Sequence, residues 1–90
     1  TLFPYTTLFR SRSSISQVNS NGEGYSKTIT LPSDVGYYEI KVANKKMTIE
    51  YGNKMGETLL PVSNMQSKYT LYSGNTYSIS KNGEGKIVIT

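Results

Sequence analysis

Apolar and polar residues alternate along most of the chain, in short runs separated by turns rich in Gly, Asn and Ser. A period of two residues is typical of β-strands that bury one face. The pattern predicts about seven short strands, at residues 25–31, 37–43, 47–51, 57–62, 68–72, 76–80 and 86–90. Their connections are too short to hold a crossover helix, which favours antiparallel sheets.

The even spacing of these strands predicts an all-β fold, an antiparallel β-sandwich of the immunoglobulin-like kind. The apolar face of the strands supplies the candidate core: Ile29, Leu31, Tyr38, Ile40, Val42, Met47, Ile49, Leu60, Leu71, Ile79, Ile87 and Ile89. The residues expected to shape the turns are Gly22, Gly24, Pro32, Gly36, Gly52, Gly74, Gly83 and Gly85. Pro61 has no N–H to donate, so the strand at 57–62 should lie on an edge or be broken.

Before the strands, the pattern indicates only the end of a helix. Ile15 and Val18 are three residues apart and would share one helix face, where they would pack on the sheet. Asn and Gly residues after position 18 then end the helix. We therefore predict a short N-terminal helix remnant at residues 12–20 and a β-domain at residues 21–90.

The first residues differ in character from the rest. Residues 1–11 contain both Phe residues of the chain, whereas Tyr is the only aromatic residue afterwards. The whole segment also matches the in-frame translation of a common short-read sequencing adapter. We interpret residues 1–11 as an artefactual, adapter-derived segment that is disordered or non-native, and we exclude it from the fold prediction.

The amino-acid composition excludes several kinds of catalytic and metal-binding site. The 90 residues contain no His, Cys or Trp, and 10 Lys and Arg residues outnumber 6 Asp and Glu residues, for a formal net charge of +4. Without Cys there is no disulfide or zinc–thiolate site, and without His there is no imidazole base or Ser-His-Asp triad. We therefore expect no catalytic residues, no cofactor and no metal, and we predict that the protein is not an enzyme.

Two sequence features could indicate a functional site, and we interpret both as structural. Asn-Gly-Glu-Gly occurs at residues 21–24 and 82–85, but both copies precede strands, whereas a phosphate-binding loop leads into a helix. Turn formation is the favoured interpretation. Glu39 and Glu50 could be cross-strand neighbours on adjacent polar faces, and we expect them to pair with Lys41 or Lys27 as solvated surface charges.

Tyrosine and lysine together suggest a contact surface. Tyr37, Tyr51 and Tyr72 are the candidates for exposed rings, which could stack on nucleic-acid bases. The lysines are scattered, however, and no arginine cluster is present. Nucleic acid is therefore the least favoured partner.

A chain-wide pattern resembles a known family. The residues that carry the resemblance are a helix tail at Ile15 and Val18, a Gly22-Glu-Gly24 loop, a Ser/Thr-rich strand ending in Leu31-Pro32, the alternating runs around Ile40 and Ile49, and the Gly85-Lys-Ile87-Val-Ile89 hairpin end. From residue 13 to residue 90 this order resembles the β-rich headpiece of archaeal type IV pilin-like proteins, which carry class III signal peptides.

The resemblance implies a non-enzymatic structural or adhesive subunit at the extracellular cell surface. In that family the signal peptide is cleaved, a hydrophobic helix anchors the subunit and forms the filament core, and the β-domain faces outward. The class III signal and that helix are absent from this sequence, so the resemblance implies a truncated headpiece. Homo-oligomerisation into a filament and membrane contact would then require the missing helix.

Two alternatives stay open. The chain could be an immunoglobulin-like module of a larger surface or S-layer-type protein, with exposed Tyr and Asn side chains contacting polysaccharide or protein. It could also be a small basic nucleic-acid-binding β-barrel.

Overall fold

The computed structural model describes residues 5–22 and 24–90. Its elements are one helix, α1 (Tyr5–Ser20), followed by strands β1 (Ser26–Thr30), β2 (Glu39–Ala43), β3 (Lys46–Tyr51), β4 (Lys54–Leu59), β5 (Tyr69–Tyr72), β6 (Thr76–Lys81) and β7 (Ile87–Ile89). In this part of the chain, no helix is both long and apolar enough to cross a membrane.

The strands form two antiparallel sheets. One has the order β1-β6-β7 and the other the order β4-β3-β2-β5. In the second sheet, β2, β3 and β4 are consecutive neighbours and β5 returns beside β2, which is the arrangement of a Greek key. The connection from β4 to β5 also binds β7, since Ile87 N–H donates to the Asn64 carbonyl at 2.8 Å. The fold is thus mostly β, in two linked antiparallel sheets with one N-terminal helix.

The residues predicted as core belong to one buried cluster. All are buried except Ile29, which is half-buried and packs against the cluster. Val62 and Met65, from the connection between β4 and β5, complete it together with Leu8, Ile15 and Val18 of α1. Alternation along the strands identifies inward positions well, because successive side chains of a strand point to opposite faces.

The N-terminal helix is longer than the sequence predicts. Residues 5–11 are helical and not disordered, and residues 1–4 lie outside the described residues. The interpretation of residues 1–11 as an adapter-derived, non-native segment stays a prediction. Leu8, Ile15 and Val18 are spaced on one helix face and are fully buried. The helix contacts β1, β6 and β7 of one sheet and β3 of the other. It contributes to the core, so the fold is mostly β with one N-terminal helix.

Strand β4 begins and ends earlier than the prediction for residues 57–62. Gly52 adopts a φ of 61°, which permits a tight turn after β3, and β4 starts at Lys54. Beyond the strand, Lys45 N–H donates to the Val62 carbonyl at 2.9 Å, and Leu60 N–H donates to the Lys45 carbonyl at 3.0 Å. Pro61 lies between these two bonds and outside the strand, as the lack of a proline N–H requires.

The two Asn-Gly-Glu-Gly copies lie at ends of elements. In the second copy, the Asn82 side chain accepts hydrogen bonds from the Glu84 and Lys86 N–H groups, each at 3.0 Å, which closes the turn between β6 and β7. The first copy follows α1, and its Glu23 lies outside the described residues. Lys81 Nζ donates to the Asn19 and Asn21 carbonyls at 2.7 and 3.2 Å and so joins the two regions.

The other expected turn residues lie where the chain reverses or leaves an element. Positive φ values occur at Gly24, Gly36, Gly52, Gly74 and Gly85 but not at Gly22 or Gly83. Pro32 lies in the connection between β1 and β2, where its carbonyl accepts a hydrogen bond from Tyr38 Oη at 2.6 Å.

Candidate functional site

The outer face of the β4-β3-β2-β5 sheet carries the polar side chains that alternate with the core positions. Glu39 of β2 pairs with Glu50 of β3 on one side and with Tyr72 of β5 on the other. These three residues therefore form a row across the sheet. The helix lies on the opposite face, because Arg12 reaches Thr58 and the Tyr5 ring packs on Gly56, both at inward positions of β4.

Two tyrosine rings are exposed at one end of this row. Tyr37 is 62% exposed and Tyr72 is 43% exposed. Tyr37 Oη donates to the Glu39 carboxylate at 2.8 Å. Only the neutral phenol can donate this hydrogen bond, so the bond raises the pKa of Tyr37 to about 12. Partial desolvation of the ring and the negative charge of Glu39 add to the shift.

The second carboxylate of the row has a cationic partner. Lys41 Nζ lies 2.7 Å from the Glu50 carboxylate, which raises the pKa of Lys41. The predicted pairing of Glu50 with Lys41 is therefore present, whereas Lys27 donates to the Gln17 side chain instead. Glu39 and Glu50 are cross-strand neighbours, but each is bound by a different group.

A third tyrosine connects the exposed rings to the other sheet. Tyr77 of β6 accepts a hydrogen bond on its Oη from the Tyr72 N–H at 2.9 Å. This contact holds β5 against β6 at the end where Tyr37 and Tyr72 lie. We refer to Tyr37, Glu39, Tyr72 and Tyr77 as the tyrosine cluster.

Tyr51 is not part of this surface, so the prediction of an exposed ring there is wrong. It is half-buried, and its Oη donates to the Val35 carbonyl at 2.5 Å. The strand pattern contains the signal that would have shown this, since Tyr51 follows Met47 and Ile49 at a spacing of two. Its ring closes the edge of the core beneath the loop that precedes β2.

The tyrosine cluster presents exposed aromatic surface and a positioned carboxylate. Aromatic rings offer apolar faces with a polar tip, a combination suited to shallow contacts with sugars or proteins. Within residues 5–22 and 24–90, no three Asp or Glu side chains converge into a group that could hold a metal ion.

Comparisons with known proteins add no assignment to this surface, because no family model, no curated protein and no solved structure matches the chain. Two features of the molecule bear on its function: the helix packed against both sheets, and the exposed Tyr37 and Tyr72 rings on the opposite face of the β4-β3-β2-β5 sheet.

Proposed function

We propose that the chain is a non-enzymatic structural and adhesive domain of a cell-surface protein, the β-headpiece of an archaeal type IV pilin-like subunit. The observation that carries the proposal is the packing of α1. Ile15 and Val18 are fully buried, and the helix contacts strands of both sheets. A helix joined in this way would hold the β-domain rigidly on a longer helical stalk.

The positions of the helix and the tyrosine cluster suit a subunit that assembles through one side and adheres through the other. The helix covers the inner face of β4, while Tyr37 and Tyr72 lie on the outer face of the same sheet. When the helix is turned toward a filament core, the tyrosine cluster is left facing outward. Homo-oligomerisation through the helix and extracellular adhesion through the outer face belong to the same proposal.

The genomic reading frame ahead of Arg12 tests the pilin-like assignment. We expect a basic segment followed by about 20 apolar residues that continue into α1, the length that spans a bilayer. Another β-domain directly upstream would contradict the assignment.

The second candidate is an immunoglobulin-like module of a larger surface protein that binds polysaccharide or protein. The Greek-key order of β2 to β5 favours it, because that order occurs in most β-sandwiches. Tyr38 adds a local likeness, since its Oη binds a backbone carbonyl six residues upstream, much as the tyrosine corner of such domains does. An upstream β-domain would support this candidate and exclude the first.

A further inference from the structure

A groove of about 920 Å³ lies between the C-terminal half of α1 and the chain that follows β4. It is remote from the tyrosine cluster and lies at the end of the sheet where β2 turns into β3. Arg12 and Lys45 line it, together with serine hydroxyls and the side-chain amides of Gln17 and Asn21. None of the described residues that line the groove is acidic or aromatic.

Lys45 occupies a backbone conformation that its residue type does not favour. Its φ is 66°, a left-handed value that glycine and asparagine adopt more easily than lysine. Two hydrogen bonds hold it there, from its N–H to the Val62 carbonyl and from Leu60 N–H to its own carbonyl. Lys45 lies in the tight turn between β2 and β3, where hairpin geometry favours a left-handed residue, and the turn brings this cation to the lining of the groove.

Arg12 supplies a second cation to the groove, and two contacts hold its guanidinium group. Its Nη1 donates to Thr58 Oγ1 at 2.8 Å, and its guanidinium carbon lies 5.1 Å from the centre of the Phe9 ring. These contacts hold the planar group in place, and an arginine has five N–H donors in total. Donors remain to form a two-bond contact with a carboxylate from the groove side.

The other residues that line the groove offer the contacts that a sugar requires. Leu59, which is 80% exposed, and Pro61 both line the groove, so it offers apolar surface to the C–H face of a pyranose ring. Serine hydroxyls can both donate and accept hydrogen bonds, as sugar hydroxyls require. The Gln17 side-chain oxygen already accepts from Lys27, and its N–H₂ group can donate to a sugar. Single-stranded nucleic acid is less well matched, because its bases stack on aromatic side chains.

From these contacts we infer that the groove binds an acidic polysaccharide, a chain of sugars that carry carboxylates. Arg12 and Lys45 would each pair with a carboxylate, and the serines, Gln17 and Leu59 would contact the sugar between them. The inference does not depend on the pilin-like proposal or on the tyrosine cluster.

Titration calorimetry of the full chain with an oligogalacturonate tests the inference, with dextran of equal length as the neutral probe and oligo(dT) as the nucleic-acid probe. We expect binding to the oligogalacturonate alone. Lys45→Gly should weaken it about 10-fold or more, since a charge-assisted hydrogen bond is lost. Thermal stability should stay level or rise, because glycine relaxes the left-handed backbone.

Two further variants separate a specific site from general attraction to a basic protein. Lys54→Gln removes the same charge at the far end of β4, beside Tyr51 in register, and should leave the affinity unchanged. Lys45→Arg should retain binding. Equal losses for Lys45→Gly and Lys54→Gln, stronger binding of oligo(dT), or no binding of oligogalacturonate by the unmodified chain would each overturn the inference.

Discussion

Glu39 and Glu50 are direct cross-strand partners on the outer face of the sheet, yet each carboxylate is stabilised by a different neighbour. Tyr37 donates a hydrogen bond to Glu39 at 2.8 Å, and Lys41 lies 2.7 Å from Glu50. Like charges in direct register destabilise a sheet, and these two contacts offset that repulsion. The same contacts determine how the surface responds to pH.

The first prediction concerns the ionisation of Tyr37. Its pKa is raised from 10.0 to about 12 in the folded chain, so folding favours its protonated form. The resulting stabilisation should be complete below about pH 10 and be lost as the pH rises toward 12. Ring-resolved NMR titration of the tyrosines measures this. Glu39→Gln should move the Tyr37 pKa back toward its ordinary value, and an unchanged pKa would contradict the hydrogen bond.

The second prediction concerns the buried hydroxyl of Tyr38. Tyr38→Phe removes the hydrogen bond to the Pro32 carbonyl and should lower the free energy of unfolding by about 1 kcal/mol. Urea denaturation measures the loss. Tyr25→Phe is the matched control at an exposed position and should cost less. Equal effects of the two substitutions would show that the Tyr38 bond does not stabilise the loop between β1 and β2.

The third prediction concerns the end of α1. Lys81 places its ammonium group on the Asn19 and Asn21 carbonyls, where the helix dipole favours a positive charge. Lys81→Met should lower the free energy of unfolding by roughly 0.5–1.5 kcal/mol and speed amide exchange in the last helical turn. Lys68→Met, at an exposed position, is the control. Unchanged exchange in that turn would exclude the capping role.

The fourth prediction concerns the first half of α1. Leu8 is fully buried, so Leu8→Ala should lower the free energy of unfolding by about 2–4 kcal/mol. Arg10→Ala, on the exposed side of the same helix, is the control and should have little effect. If both substitutions are equally mild, residues 5–11 do not contribute to the core, as their interpretation as an adapter-derived segment predicts.

Much of the β-structure follows from local pattern. The inward positions of Ile40, Val42 and Ile49 are predictable because a strand has a side-chain period of two, whatever its neighbours are. The end of β4 before Pro61 follows from the missing proline N–H. Only the second half of the helix is predictable, because the spacing of Ile15 and Val18 indicates one buried helix face. Leu8 lies in residues 1–11, whose composition differs from that of the rest of the chain.

The candidate site was less predictable. Tyr37 and Tyr72 could be expected at the surface, but their meeting at Glu39 requires the pairing of β2 with β5. Tyr77 enters the cluster from the other sheet, and no local pattern brings it there. Residues far apart in sequence meet only when the sheets have formed.

By itself, the sequence determined which faces of the strands are buried, where the turns lie, and that His and Cys chemistry is absent. Tertiary structure decided the register that opposes Glu39 to Glu50 and the left-handed conformation of Lys45, which hydrogen bonds to residues 60 and 62 maintain. It also created the groove between Arg12 and Lys45. Local patterns depend on the geometry of one segment, whereas these features depend on which segments pack together.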